Sequence, residues 1–89
     1  MAWKVELSER AQKDLAKLDP VAARRVLSFL HQRIAVRSDP RVLGQALRGA
    51  QLGALWKYRV GDYRIIAAIE DDRLMVLVVR IGHRREVYR

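Results

Sequence analysis

The chain of 89 residues contains no cysteine, which excludes a disulfide framework, a cysteine-ligated metal and thiol catalysis. Long hydrophobic runs are also missing, since apolar stretches such as residues 74–79 are far too short to cross a bilayer. Polar and apolar residues alternate from the N-terminus, and we see no signal peptide there. The sequence therefore predicts a cytoplasmic protein with no membrane association, and its length fits one domain over residues 1–89.

Basic residues are abundant: 18 Lys and Arg against 10 Asp and Glu give a formal net charge of +8 at pH 7. Most of them are arginines, whose guanidinium group binds phosphate in a bidentate manner and stacks on bases. Such an excess on a small domain indicates a polyanionic partner, most simply nucleic acid. The alternative is a basic surface that only keeps the protein soluble.

Hydrophobic periodicity and turn residues predict an α+β fold. Ser8 and Asp19 are suited to cap the starts of two helices, and the glycine-containing residues 41–54 indicate a loop with room for a helical turn. The pattern predicts a strand, a helical hairpin and a three-stranded antiparallel meander, over residues 3–7, 9–18, 20–37, 55–60, 63–70 and 73–81. Two-residue turns at 61–62 and 71–72 join the last three strands. The helices are expected to pack on one face of a small sheet.

The first of these turns places basic residues opposite one another. If Gly61 and Asp62 form the whole turn, Arg59 pairs with Arg64, and Lys57 shares their face of the sheet. Like charges at opposed positions destabilise a sheet, so folding alone gives no reason for them. The same face is expected to continue through the apolar residues Ile66, Ala68, Leu77 and Val79. This combination predicts the wall of an anion-binding groove, and the alternative is a solvated face on which the arginines splay apart.

The C-terminal segment carries more polar groups. Gly82 can end the last strand, and His83, Arg84, Arg85 and Tyr88 follow it with a titratable ring, two guanidinium groups and an aromatic ring. A tail that folds back over the cationic face would complete a site.

Three segments together resemble the RelE family, the toxins of bacterial and archaeal toxin–antitoxin pairs within the RelE/ParE superfamily. They are residues 47–49 (Leu-Arg-Gly), residues 56–65 around the Gly-Asp-Tyr-Arg hairpin, and residues 79–88 with the Gly-His-Arg tail. The resemblance covers essentially the whole chain. It implies a RelE-like fold and a ribosome-dependent mRNA endoribonuclease that cuts messenger RNA in the A site of the 30S subunit and arrests translation. It also implies neutralisation by a RelB-like antitoxin, which carries the complex to operator DNA.

The resemblance assigns roles to individual residues. RNA cleavage without a metal needs a proton acceptor, a proton donor and cations around the phosphorane that forms when the 2′-hydroxyl attacks. The resemblance implies that Arg64 clamps the phosphate, that Arg84 acts near the leaving oxygen and that Tyr88 stacks on a base. Lys57 and Arg59 complete the cationic wall. No cofactor or metal is expected.

The proton acceptor is left open between two residues. Some of the best-known family members have lysines where Arg59 and His83 stand here, and arginine is a poor base. Lys57 or His83 must then accept the proton. An imidazole ordinarily titrates near neutral pH, whereas a lysine must first be neutral to act as a base. Four further arginines are predicted to bind phosphates of the message or of ribosomal RNA: Arg24, Arg25, Arg48 and Arg85.

Two other functions compete with the nuclease. The ParE branch of the superfamily inhibits gyrase and generally lacks the combination of Lys57, Arg64, Arg84 and Tyr88. A non-catalytic basic module would bind RNA or DNA with salt-dependent affinity and cut neither. An acidic or amphipathic antitoxin segment is expected to lie along the helical hairpin or beside Arg64.

Overall fold

The computed structural model describes residues 3–36, 39–47 and 55–83. Its helices and strands are, in chain order, β1 (Lys4–Leu7), α1 (Glu9–Ala16), α2 (Pro20–Phe29), β2 (Gln45–Ala46), β3 (Leu55–Val60), β4 (Tyr63–Glu70) and β5 (Met75–His83). The strands form one mixed sheet in the order β1-β5-β4-β3-β2, in which β1 is parallel to β5 and the other neighbours are antiparallel. The predicted α+β class is confirmed.

Both helices begin at the predicted caps. The Ser8 hydroxyl accepts a hydrogen bond from the Ala11 amide at 3.1 Å, and the Asp19 carboxylate accepts one from the Ala22 amide at 2.8 Å. Pro20 follows in the first turn of α2, where its missing N–H costs nothing. These capping groups satisfy amides that have no partner inside a helix.

Both helices end earlier than predicted. α1 ends at Ala16, because the amides of residues 17 and 18 bond three residues back and tighten the last turn. α2 ends at Phe29 and continues as a π-helical turn over Leu30–Ile34 rather than as α-helix to residue 37. The carbonyl of Ala35, just after this turn, accepts a hydrogen bond from the Trp3 amide at 2.7 Å and so ties the N-terminus to the end of the helical hairpin.

The β3–β4 hairpin agrees with the prediction in its bounds and its register. Gly61 adopts φ +59°, the left-handed conformation that the first position of this tight turn requires and that glycine adopts without strain. Arg59 lies directly opposite Arg64, as the two-residue turn demands.

The β4–β5 connection differs from the prediction. A 3-10 turn over Asp71–Arg73 and Leu74 in a left-handed conformation replace the predicted two-residue turn, so β5 starts at Met75. A β-bulge then shifts the register between Ile66 and the next residue, and Ile66 pairs with Arg80. Val79 therefore lies at the bulge and has no pairing partner in β4, which the prediction did not include because it assumed an uninterrupted pairing.

The predicted loop over residues 41–54 contains regular structure in its first part. A 3-10 turn over Pro40–Leu43 leads into the short strand β2, which pairs with β3 at the edge of the sheet. Residues 48–54 lie outside the described residues.

Both helices pack on the same face of the sheet. The main core joins the helices to alternate residues of the central strands; its members include Ala11, Val26, Leu30, Tyr58, Ile65, Val78 and Ile81. Because strand side chains alternate between faces, the intervening residues of β3 and β4 point to the opposite face.

In the part of the chain that the structure describes, no helix is both long and apolar enough to cross a membrane.

Candidate functional site

The three predicted cations line one cleft on the sheet face opposite the helices. Its volume is about 280 Å³, and its lining residues are Leu43, Gln45, Lys57, Tyr58, Arg59 and Arg64. β3 and β4 supply the basic side chains, and the segment from the 3-10 turn to β2 supplies the opposite wall. The structure therefore brings together Lys57, Arg59 and Arg64, as the hairpin register predicts.

Strand pairing fixes how these side chains face one another. Arg59 is opposite Arg64, and Lys57 lies two residues before Arg59 on the same face of β3. Side chains at directly opposed positions have Cβ atoms roughly 5 Å apart. Ile66 pairs with Lys57 and is only 5% exposed, so an apolar floor adjoins the cations, as predicted.

Arg64 is the most deeply placed of the three cations. Its exposure is 8%, and one guanidinium nitrogen lies 3.5 Å from the Tyr63 carbonyl oxygen. The residue that pairs with it on β5 is Gly82, which has no side chain to compete for the space beside the guanidinium group. Arg59 brings a second guanidinium group to the same face of the sheet, directly opposite Arg64. A phosphate between them would be held by two guanidinium groups.

The structure separates His83 from these cations. His83 pairs with Tyr63, and the two rings meet edge to face with centroids 5.9 Å apart. Because Tyr63 and Arg64 are consecutive strand residues, their side chains point to opposite faces. The His83 ring therefore lies on the helix side of the sheet rather than in the cleft.

Arg24 and Arg25 lie in a different groove. This groove has a volume of about 400 Å³ and is formed by α2 and the end of β3 at Val60, with Arg33 as a further cation. The Arg25 guanidinium group lies against the β3–β4 turn, 3.3 Å from where a Cβ atom on Gly61 would stand. The predicted phosphate contacts of Arg24 and Arg25 would thus be made on the helix side of the sheet, away from Lys57 and Arg64.

Four other predicted site residues lie outside the described residues, and their roles stay predictions: Arg48, Arg84, Arg85 and Tyr88.

Leu43 and Gln45 are cleft residues that the sequence did not indicate. Neither belongs to a periodic segment, and their position depends on the pairing of β2 with β3, in which Gln45 is opposite Lys57. The weak signal for them was the Asp39-Pro40 pair, which is typical of the start of a helical turn.

Tyr58 holds the segment that carries Leu43 and Gln45 in place from the helix side of the sheet. Its ring is 1% exposed, and its hydroxyl donates a hydrogen bond to the Pro40 carbonyl at 2.7 Å. Burial raises the pKa of Tyr58 to about 12, so the hydroxyl stays protonated and keeps this bond at neutral pH. Gly44 allows the close approach, because a Cβ atom there would stand 2.8 Å from the Tyr58 ring.

Within residues 3–36, 39–47 and 55–83, no three His, Cys, Asp or Glu side chains are grouped so that they could hold a metal ion.

Comparison with known proteins identifies the family. A family model described as the ParE toxin of type II toxin-antitoxin system, parDE, matches residues 5–88. The chain belongs to the RelE/ParE family of toxins. This agrees with the resemblance that the hairpin and tail motifs carry.

Relatives with names from the RelE branch match nearly the full chain. Toxin RelG of Mycobacterium tuberculosis is 30% identical over 89 residues, which cover 100% of this chain and 99% of that protein. The mRNA interferase toxin RelE of Escherichia coli is 30% identical over 90 residues, covering 99% of this chain and 92% of that protein. A chain of the toxin-antitoxin complex RelBE2 from Mycobacterium tuberculosis superposes with a TM-score of 0.85 at 28% identity, covering 97% of this chain and 95% of that chain. The RelE/ParE toxin is thus similar to these proteins in both sequence and fold.

Proposed function

We propose that this RelE/ParE toxin is an mRNA endoribonuclease that cuts messenger RNA in the ribosomal A site without a metal ion. The observation that carries the proposal is the convergence of Lys57, Arg59 and Arg64 in one cleft. Opposed cations have no folding advantage, whereas a phosphodiester entering the cleft would be held from two sides. The name of the Escherichia coli relative, an mRNA interferase, supports the same reaction class.

The chemistry needs only proton transfer and charge stabilisation. The 2′-oxygen forms a bond to phosphorus while the bond to the 5′-oxygen breaks, which leaves a 2′,3′-cyclic phosphate and a 5′-hydroxyl. Arg64, fixed by its burial, and Arg59 would stabilise the negative charge that grows on the phosphorane oxygens. The departing 5′-oxygen would take up a proton from solvent while Arg84 stabilises its negative charge, and Tyr88 would stack on a base to orient the strand.

Lys57 is our proposed acceptor for the 2′-hydroxyl proton, because it lies in the cleft and His83 does not. Single-turnover cleavage should slow by about 100-fold or more in Lys57→Gln, the usual range for loss of a general base. His83→Gln should keep both the rate and its pH dependence. A pH–rate profile that changes in His83→Gln and stays unchanged in Lys57→Gln would reverse the assignment.

Gyrase inhibition is a second candidate function, because the matching family model is described as a ParE toxin. The two candidates separate in one pair of assays: primer extension on purified ribosomes programmed with a short message, and DNA supercoiling by purified gyrase. The proposal expects a break within the A-site codon only when ribosomes are present, and normal supercoiling. Blocked supercoiling with an intact message would establish the other function, and salt-sensitive binding with neither effect would indicate a non-catalytic module.

We further propose that a RelB-like antitoxin neutralises the toxin in the cytoplasm, and that the antitoxin carries the complex to operator DNA. The net charge of +8 supports this partner, as does the similarity to a chain of the toxin-antitoxin complex RelBE2 from Mycobacterium tuberculosis. Adding a RelB-like antitoxin should abolish the ribosome-dependent break in the same primer-extension assay. A break that persists at saturating antitoxin would contradict this part of the proposal.

A further inference from the structure

We infer that Gln45 and Leu43 form a base-recognition wall of the cleft, in which the Gln45 amide hydrogen-bonds the edge of the nucleobase beside the scissile phosphate and Leu43 packs against its face. The inference rests on the proposed RNA cleavage and extends it to the specificity of that site.

The position of Gln45 follows from the sheet. Gln45 on β2 is directly opposite Lys57 on β3, so the two side chains share a face and are neighbours in the cleft. Gln45 is exposed, whereas Leu43 is half-buried and packs against the core. A strand whose phosphate lies between Arg59 and Arg64 would therefore have one nucleoside directed towards β2.

Chemistry assigns recognition to this wall rather than to the cations. Contacts from Lys and Arg to phosphates position a nucleic acid without distinguishing its sequence, whereas hydrogen bonds to base edges distinguish it. An amide side chain offers both a donor and an acceptor, which is how glutamine discriminates among bases. Among the described residues that line the cleft, Gln45 is the neutral side chain with both groups available, since the Tyr58 hydroxyl is engaged with Pro40.

Two contacts with Tyr58 tie the wall to the sheet. The Tyr58 hydroxyl donates a hydrogen bond to the carbonyl of Pro40, and the backbone at Gly44 packs closely against the Tyr58 ring. Tyr58 is thus a positioning residue for Leu43 and Gln45, and it acts from the opposite side of the strand without touching the base. Fixing contact groups before binding lowers the entropy that recognition costs.

The test compares cleavage sites on ribosomes programmed with a pool of messages that presents every codon in the A site. Gln45→Ala should reduce the rate ratio between the best-cleaved and worst-cleaved codons by about 10-fold or more, the discrimination expected of an amide–base contact. Leu43→Ala should raise the half-saturating ribosome concentration more than it lowers the maximal rate. Gln12→Ala on α1, at the opposite edge of the sheet, removes an exposed glutamine outside the cleft and should leave the codon ranking unchanged.

Each outcome decides the inference. A codon ranking in Gln45→Ala equal to that of the unchanged protein would overturn it while leaving the nuclease intact. A uniform loss of cleavage at all codons would also overturn it, because Gln45 would then act in the reaction rather than in recognition. If the unchanged protein cuts no message at all, the proposed function fails and the inference fails with it.

Discussion

Asp14 gives the sharpest test of how the end of β5 is held. β1 pairs with β5 only up to residue 78, and beyond that point α1 lies along the strand edge. The Asp14 carboxylate is 7% exposed and accepts hydrogen bonds from the Ile81 amide at 3.0 Å, the Arg80 side chain at 3.1 Å and the Arg10 side chain at 3.1 Å. The Asp14 carboxylate therefore takes the place of a strand partner for β5 at Ile81, one residue before Gly82.

The cost of Asp14→Ala can be estimated from these contacts. Losing the acceptor leaves the buried Ile81 amide without its partner, which costs about 1–3 kcal/mol. The Arg80 bond adds about 1 kcal/mol, reduced by its partial exposure, and the exposed Arg10 pair adds about 0.3–0.5 kcal/mol. The free energy of unfolding should fall by about 3 kcal/mol, a large part of the roughly 5–15 kcal/mol typical of a domain.

Urea unfolding followed by circular dichroism at pH 7 measures this loss. Asp14→Asn keeps an acceptor for the amide and should lose only about half as much. Asp72→Ala removes an exposed carboxylate in the β4–β5 turn and should change stability by less than about 0.5 kcal/mol. If Asp14→Ala unfolds at the same urea concentration as Asp72→Ala, the proposed role of Asp14 is wrong.

The same carboxylate gives the stability a pH dependence. Burial tends to raise the pKa of Asp14, but the bonds from Ile81, Arg10 and Arg80 outweigh it and lower the pKa below its usual 3.8. A lowered pKa in the folded state adds stability above about pH 4, and this stability is lost as pH falls through the folded-state value. The stability difference between the unchanged protein and Asp14→Asn should therefore shrink below about pH 4. A difference that grows on acidification would contradict this sign.

Three further substitutions test other parts of the structure by urea unfolding. Arg59→Gln should raise stability by a few tenths of a kcal/mol by relieving repulsion with Arg64, while slowing cleavage on programmed ribosomes; a loss of stability would show that the pair is not repulsive. Gly61→Ala should cost about 1–2 kcal/mol because φ is +59°, and Gly61→Asn should cost less, so equal costs would refute the backbone explanation. Tyr58→Phe should cost about 1 kcal/mol by removing the bond to Pro40, and an unchanged midpoint would argue against that bond.

Local chemistry predicted the parts of the fold that depend on neighbouring residues. The helix caps at Ser8 and Asp19 and the turn at Gly61 follow from side chains or backbone freedom within a few positions, and the structure has all of them. The hairpin turn also fixes Arg59 opposite Arg64, so the cationic half of the cleft followed from counting along two strands.

Long-range pairing decided what the sequence did not predict. The position of Gln45 depends on β2 joining the edge of β3 after a loop without periodicity. A bulge at Val79 places Arg80, and not Val79, opposite Ile66. No turn residue or glycine at that point of the sequence indicates this bulge. The separation of His83 from the cleft depends on the β4–β5 register, because a shift of one residue moves a side chain to the other face.

The most direct test of the central claim is the rate of message cleavage on purified ribosomes by cleft variants and matched surface variants. Lys57→Met and Arg64→Gln should each cut at least about 100-fold more slowly than the unchanged protein. Lys17→Met and Arg73→Gln, which change exposed cations outside the cleft, should cut at the unchanged rate. Full-rate cleavage by both cleft variants, with circular dichroism spectra that show an intact fold, would contradict the assignment of the reaction to this cleft.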